Sequence, residues 1–180
     1  MKKKNGFTLI ELVVAVAIIA GLGTVLVQVL FTTTRSSTKV ERLTDVKQGG
    51  EYALNMIERM IRNARSITAS CSSDGSVATP SVVVTSPDGN ETTFVCALDD
   101  TNGVTRIASV SAFGTQYLTS TSVTLGGDSC EVDTLAFYCT SVADIPKSLK
   151  VSFQLSQKVT PVDQFEKAST TFQTSIGLRQ

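Results

Sequence analysis

Side chains able to do chemistry are sparse in this 180-residue chain, and none of them is histidine. Without an imidazole there is no Ser-His or Cys-His nucleophile pair and no histidine metal site. No Gly-x-x-x-x-Gly-Lys-Ser/Thr loop offers a phosphate cradle either, so the residues argue against an enzyme and imply no cofactor. Four thiols remain: Cys71, Cys96, Cys130 and Cys139. A zinc site would have to be gathered from scattered positions, because no Cys-x-x-Cys pair is present; an even number in an exported domain reads as two disulfides. Three connectivities are open, and closure of short loops favours Cys71–Cys96 with Cys130–Cys139. Asp99, Asp100 and Asn102 form an oxygen-rich turn that could hold calcium, yet the spacing is not that of an EF-hand and no distant bidentate glutamate is assignable. A hairpin with solvated carboxylates explains them better. Asn90-Glu91-Thr92 has the form of a glycosylation acceptor, but a turn already accounts for Asn90. Arg59, Arg62 and Arg65 recur every third residue beside Glu58, a short basic strip that gives thin support for DNA binding.

One charge stands in an unusual place. Between Phe7 and Phe31 the only polar residues are Thr8, Glu11, Thr24 and Gln28. As a helix this run would be roughly 38 Å long, enough for a hydrocarbon core of about 30 Å. A lone carboxylate inside such a run is costly and calls for a partner. Lys2, Lys3 and Lys4 place the N-terminus in the cytoplasm and the rest of the chain outside. An ordinary secretory signal has a shorter apolar region and a small-residue cleavage site behind it, and here that would strand residues 22–31. The full chain balances 16 basic against 16 acidic residues; without the three leader lysines the balance is 13 to 16, so no general basic field faces anionic partners.

Beyond Phe31 a helical pattern resumes. Leu43, Gly50, Ile57 and Ala64 form one apolar line and Val46, Ala53, Met60 and Ile67 another, which predicts an amphipathic helix over 39–68 continuing the apolar one. Glu41, Lys47, Glu51, Glu58, Arg62 and Arg65 occupy the other face, read as solvated. Gly49-Gly50 inside this helix implies a kink or a close approach. After Thr68 the composition turns to Ser, Thr, Val, Gly and Asp, and strands are expected at 81–85, 91–98, 104–110, 116–125, 133–139, 148–156 and 169–178. Pro87-Asp88-Gly89-Asn90 and Asn102-Gly103 mark the turns between the first three. The expected class is α+β: a long N-terminal helix packed on a mostly antiparallel sheet that covers the 43–67 stripe. The divisions are a leader at 1–6, an apolar helix at 7–31, an amphipathic helix at 32–68 and a β-rich body at 69–180.

A basic leader ending at Gly6, followed by Phe7, Thr8, Leu9, Ile10, Glu11, Leu12 and an uninterrupted apolar run, resembles the type IV pilins and type II secretion pseudopilins. The resemblance implies that prepilin peptidase cuts between Gly6 and Phe7, that the new Phe7 amine is methylated, and that Glu11 pairs with the Phe7 amine of a neighbouring subunit. It implies as partners the peptidase, other pilin subunits, an assembly platform and an ATPase. The subunit would wait in the cytoplasmic membrane and then enter an extracellular or periplasmic fibre. Pilins loosen part of this helix on polymerising, and Gly21-Leu22-Gly23 is the stretch suited to that, with close helix packing as the equal alternative. A second resemblance, carried by residues 55–65 and 172–180, points to the minor rather than the major subunits. The competing reading is a monomeric, membrane-anchored adhesin or binding domain, which leaves Glu11 without a task.

Overall fold

The computed structural model describes residues 8–126, 130, 134–142, 145–158 and 168–178. Its one helix among the described residues, α1, runs from Leu9–Arg62. The chain divides into two units, residues 1–40 and 41–180.

In the first unit, apolar side chains from Leu9 to Phe31 are exposed on every face of the helix. A helix apolar all round needs lipid or other helices around it, and α1 is long and apolar enough to cross a membrane. The helix runs unbroken through Gly21 and Gly23, where an added Cβ would meet nothing within 4 Å. Further along, the hydroxyls of Thr32, Thr33 and Thr34 donate to the carbonyls of Gln28, Val29 and Leu30. Such back-bonding satisfies hydroxyls in an apolar segment and slightly weakens the helix.

In the second unit, α1 buries Val46, Gly50, Ala53, Ile57 and Ile61, a stripe at helical spacing. Among the described residues eleven strands follow: β1 (Ser66–Thr68), β2 (Cys71–Ser72), β3 (Ala78–Thr79), β4 (Ser81–Thr85), β5 (Glu91–Asp99), β6 (Val104–Ser111), β7 (Gly114–Tyr117), β8 (Val123–Thr124), β9 (Leu135–Val142), β10 (Ile145–Gln157) and β11 (Ser169–Gly177). They form two sheets rather than one. The five-stranded sheet has the order β1-β4-β5-β6-β7; the six-stranded sheet has β11-β10-β9-β2, with β3 on β9 and β8 on β10. Among the described residues every pairing is antiparallel except that of β2 with β9. Both sheets send apolar residues into a core shared with the helix stripe, among them Phe94, Ile107, Phe137, Leu149, Phe153 and Ile176. The fold is thus α+β and pilin-like, with the helix packed on a mostly antiparallel body.

The helix ends six residues before the expected Thr68. The Ala64 N–H bonds to Ile61 O at 3.2 Å, tightening the last turn, and the Arg65 N–H donates to Thr85 O at 2.8 Å. Strand β4 thereby captures the chain as β1, and Ile67 faces Val84 as a strand residue. Expected strand 116–125 divides into β7 and β8, and β1, β2 and β3 are too short to announce themselves by periodicity. Both predicted turns are present. Gly89 and Gly103 have φ of 87° and 60°, a region open to glycine.

Gly50 is a close-approach glycine, not a kink. A Cβ built there would lie 2.2 Å from the Phe172 ring, whereas one at Gly49 would sit 3.7 Å from Val123. Phe172 in turn stacks on Phe153 with centroids 5.3 Å apart.

The disulfides are Cys71–Cys139 and Cys96–Cys130, which corrects the short-loop pairing. Parallel pairing of β2 with β9 sets Cys71 directly opposite Cys139, a contact that sequence distance does not reveal. The sequence separations are 68 and 34 residues. On a chain-entropy basis each bond stabilises the fold by about 4 kcal/mol.

Asp99 is buried, so it is not the solvated carboxylate expected. Its carboxylate accepts from Asn102 Nδ2 at 2.9 Å and from Arg106 Nη1 at 2.8 Å. Arg106 also donates through Nε to Thr119 O at 2.8 Å and lies 4.2 Å over the Tyr117 ring. The group a calcium ion would need is therefore committed to holding the β5–β6 turn against residues 117–119. Among the described residues, no three His, Cys, Asp or Glu side chains converge as metal ligands. The Asn102 amide first, then the Arg106 guanidinium, holds the Asp99 carboxyl below its usual range. A carboxylate so depressed stabilises the fold above its unfolded pKa near 4, and the benefit is lost as pH falls through the folded value. Asp99→Asn should therefore be less stable than the parent at pH 7. In urea unfolding that gap should narrow as pH drops from about 5 to about 2. A gap independent of pH would show that the carboxylate's charge is not what stabilises the turn.

Candidate functional site

The chemistry that the sequence concentrates at its N-terminus falls at the first turn of α1. Gly6 and Phe7, the proposed cleavage and methylation positions, lie outside the described residues. Thr8 is the residue before the helix and Glu11 is its third residue. The Glu11 carboxylate accepts from the Thr8 N–H at 3.2 Å and from Thr8 Oγ1 at 3.1 Å. The Glu11 N–H donates back to Thr8 Oγ1 at 3.4 Å, and the Thr8 carbonyl takes the Leu12 N–H. This reciprocal arrangement is a capping box: it satisfies two of the helix's otherwise unpartnered N–H groups. The carboxylate also lies at the positive end of the helix dipole. Thr8-x-x-Glu11 is the sequence spacing that signals such a cap.

The cap leaves Glu11 at the surface. With Ile10, Val14, Ala15 and Ile18 it lines a shallow groove along one face of the helix, apolar apart from that carboxylate. Such a face offers a helix from another chain apolar packing and one anionic acceptor. Neutralising that acceptor with a cation would remove the penalty of carrying it into an apolar surrounding.

The other sequence candidates do not gather near this turn. Arg62 is bound to Glu58 at 2.6 Å across one helical turn; with Arg59, Asn55 and Asn63 the pair lines a shallow surface groove. An exposed i, i+4 pair contributes at most about 0.5 kcal/mol. Arg65 follows the helix where its backbone joins β4, so the three arginines do not form one continuous helical strip. Asn90 Nδ2 donates to Asp88 Oδ2 at 2.6 Å within the turn, and Thr92 is buried in β5. The turn role thus accounts for Asn90.

Residues 1–26 match a family model described as the prokaryotic N-terminal methylation motif. No curated protein and no solved structure matches the chain. The matched stretch holds the basic leader, Gly6, Phe7, the capped Glu11 and most of the apolar helix. The motif indicates a structural protein handled by prepilin peptidase, and the apolar helix is consistent with membrane anchoring. At its N-terminus, the chain carries the methylation motif of the type IV pilin and pseudopilin family.

Proposed function

We propose that this chain is a fibre subunit, cut by prepilin peptidase between Gly6 and Phe7, methylated on the Phe7 amine, and polymerised through its N-terminal helix. The observation that carries this reading is an acidic residue on the otherwise apolar first turns of a methylation-motif helix. In the waiting monomer, Thr8 and the helix N-terminus hold the Glu11 carboxylate. In the fibre, the ammonium of a neighbour's Phe7 replaces part of that local support, an exchange that only the cleaved chain can make.

Residues 7–31 then serve as membrane span and fibre core, residues 32–62 carry the helix onward, and the disulfide-braced body faces outward. Topology follows the leader lysines, with the N-terminus inside and the body outside. Assembly energy comes from a partner ATPase and membrane platform; the chain contributes packing surface and the Glu11 charge and performs no catalysis. The end motifs at 55–65 and 172–180 favour a minor subunit. Expressed with a complete assembly system, the chain should appear in the sheared fibre fraction at a small ratio to the main subunit. It should stay in the membrane when the peptidase is deleted. Its presence in fibres without the peptidase would overturn the reading.

A further inference from the structure

We infer that the two disulfides differ in chemistry: Cys71–Cys139 is a fixed part of the core, whereas Cys96–Cys130 is an exchange site at which an external dithiol enters through Cys130 Sγ. The assignment rests on where the four sulfurs lie. Cys139 is fully buried, Cys71 and Cys96 are partly buried against the core, and Cys130 is exposed.

Thiol exchange requires a thiolate to reach one sulfur and a second thiolate to leave from the other. At the inner bond the reachable sulfur is Cys71, and attack there must expel Cys139 as a thiolate into the apolar core, where a charge is poorly solvated and the sulfur is a poor leaving group. The β2–β9 pairing also holds Cys71 opposite Cys139, so a broken bond re-closes between aligned partners. At the outer bond, attack on Cys130 Sγ expels Cys96, which is only partly buried on β5.

In the first step an external thiolate bonds to Cys130 Sγ, the Cys96–Cys130 bond breaks, and its electron pair leaves on Cys96 Sγ, which takes a proton. The dithiol's second thiolate then closes on its own first sulfur and releases Cys130 as a thiol. Two electrons and two protons have passed from the dithiol to the protein, and Cys130 is no longer tied to Cys96 on β5. Run backwards with an oxidised dithiol catalyst, the same steps close the bond last, on a body already folded around Cys71–Cys139.

The test is graded reduction of the full chain in detergent with dithiothreitol, followed by alkylation and peptide mass spectrometry. Cys96 and Cys130 should be alkylated about ten-fold or more faster than Cys71 and Cys139, with circular dichroism unchanged while the first pair opens. Prior labelling of Cys71 and Cys139, or labelling of all four in one step with loss of structure, would overturn the assignment. A second measurement fixes the entry sulfur. The Cys130 thiol in Cys96→Ser should form a mixed disulfide with oxidised glutathione about ten-fold faster than the Cys96 thiol in Cys130→Ser; equal or reversed rates would overturn it.

Discussion

Glu11→Leu is expected to lower incorporation into sheared fibres by about ten-fold or more, while the protein still inserts in the membrane and its body melts unchanged. Insertion survives because removing a charge from an apolar span lowers its transfer cost. Body stability survives because Glu11 belongs to the unit of residues 1–40, not to the body at 41–180. Two companion variants separate the residue's two tasks. Glu11→Gln keeps a side chain that can complete the capping box but carries no charge. Thr8→Val removes the cap's hydroxyl and leaves the charge. If Glu11 acts as the partner of an ammonium, Gln fails nearly as badly as Leu and Thr8→Val has the milder effect, on the order of the 1 kcal/mol an N-cap contributes. If incorporation follows the cap, Gln behaves as the parent and Thr8→Val fails. Normal incorporation of Glu11→Leu would show that assembly does not use the Glu11 carboxylate.

The second large effect is expected at Gly50. Its buried Cα faces the Phe172 ring so closely that a Cβ would stand 2.2 to 2.6 Å from three ring carbons. The ring cannot simply swing away, since it stacks on Phe153 and Phe172 pairs with Phe153 across β10 and β11. Gly50→Val should therefore destabilise the body by about 3 kcal/mol, the upper part of the range for overpacking a filled core. Gly49→Ala, one residue away with its Cβ at ordinary contact distance, should instead be neutral or gain up to about 1 kcal/mol from helix propensity. Urea unfolding of both variants checks the pair. Equal effects would mean that the helix does not approach β11 as described.

The N-terminal motif was legible in the sequence because its pattern is local. A carboxylate in an apolar run, a leader of lysines and a Gly-Phe junction all act within a few residues, as do the turns at Gly89 and Gly103 that place β4, β5 and β6 in register. The Val46 to Ile61 stripe was legible for the same reason, since helix periodicity is a local property. The disulfide connectivity was not. Cys71 meets Cys139 only because β2, two residues long, lies parallel to β9, and no periodicity survives in two residues. The helix end also depended on a distant strand: residues 63–68 continue the apolar spacing, and the bond from Arg65 to Thr85 overrides it. Asp99 was misplaced for the complementary reason. A carboxylate in a turn is usually solvated, and its burial follows from Arg106, seven residues away on the next strand. Gly50 could be read as a kink or a close approach until Phe172 supplied the answer.

The proposed cleavage creates an N-terminus at Phe7 that the precursor lacks. Mass spectrometry of the N-terminal peptide, on protein recovered from cells that contain a prepilin peptidase, tests it most directly. A mature chain beginning at N-methylated Phe7, with residues 1–6 absent, is the expected result. A chain that retains Met1 to Gly6, or one cut within residues 20–31 as a secretory signal would be, would contradict it.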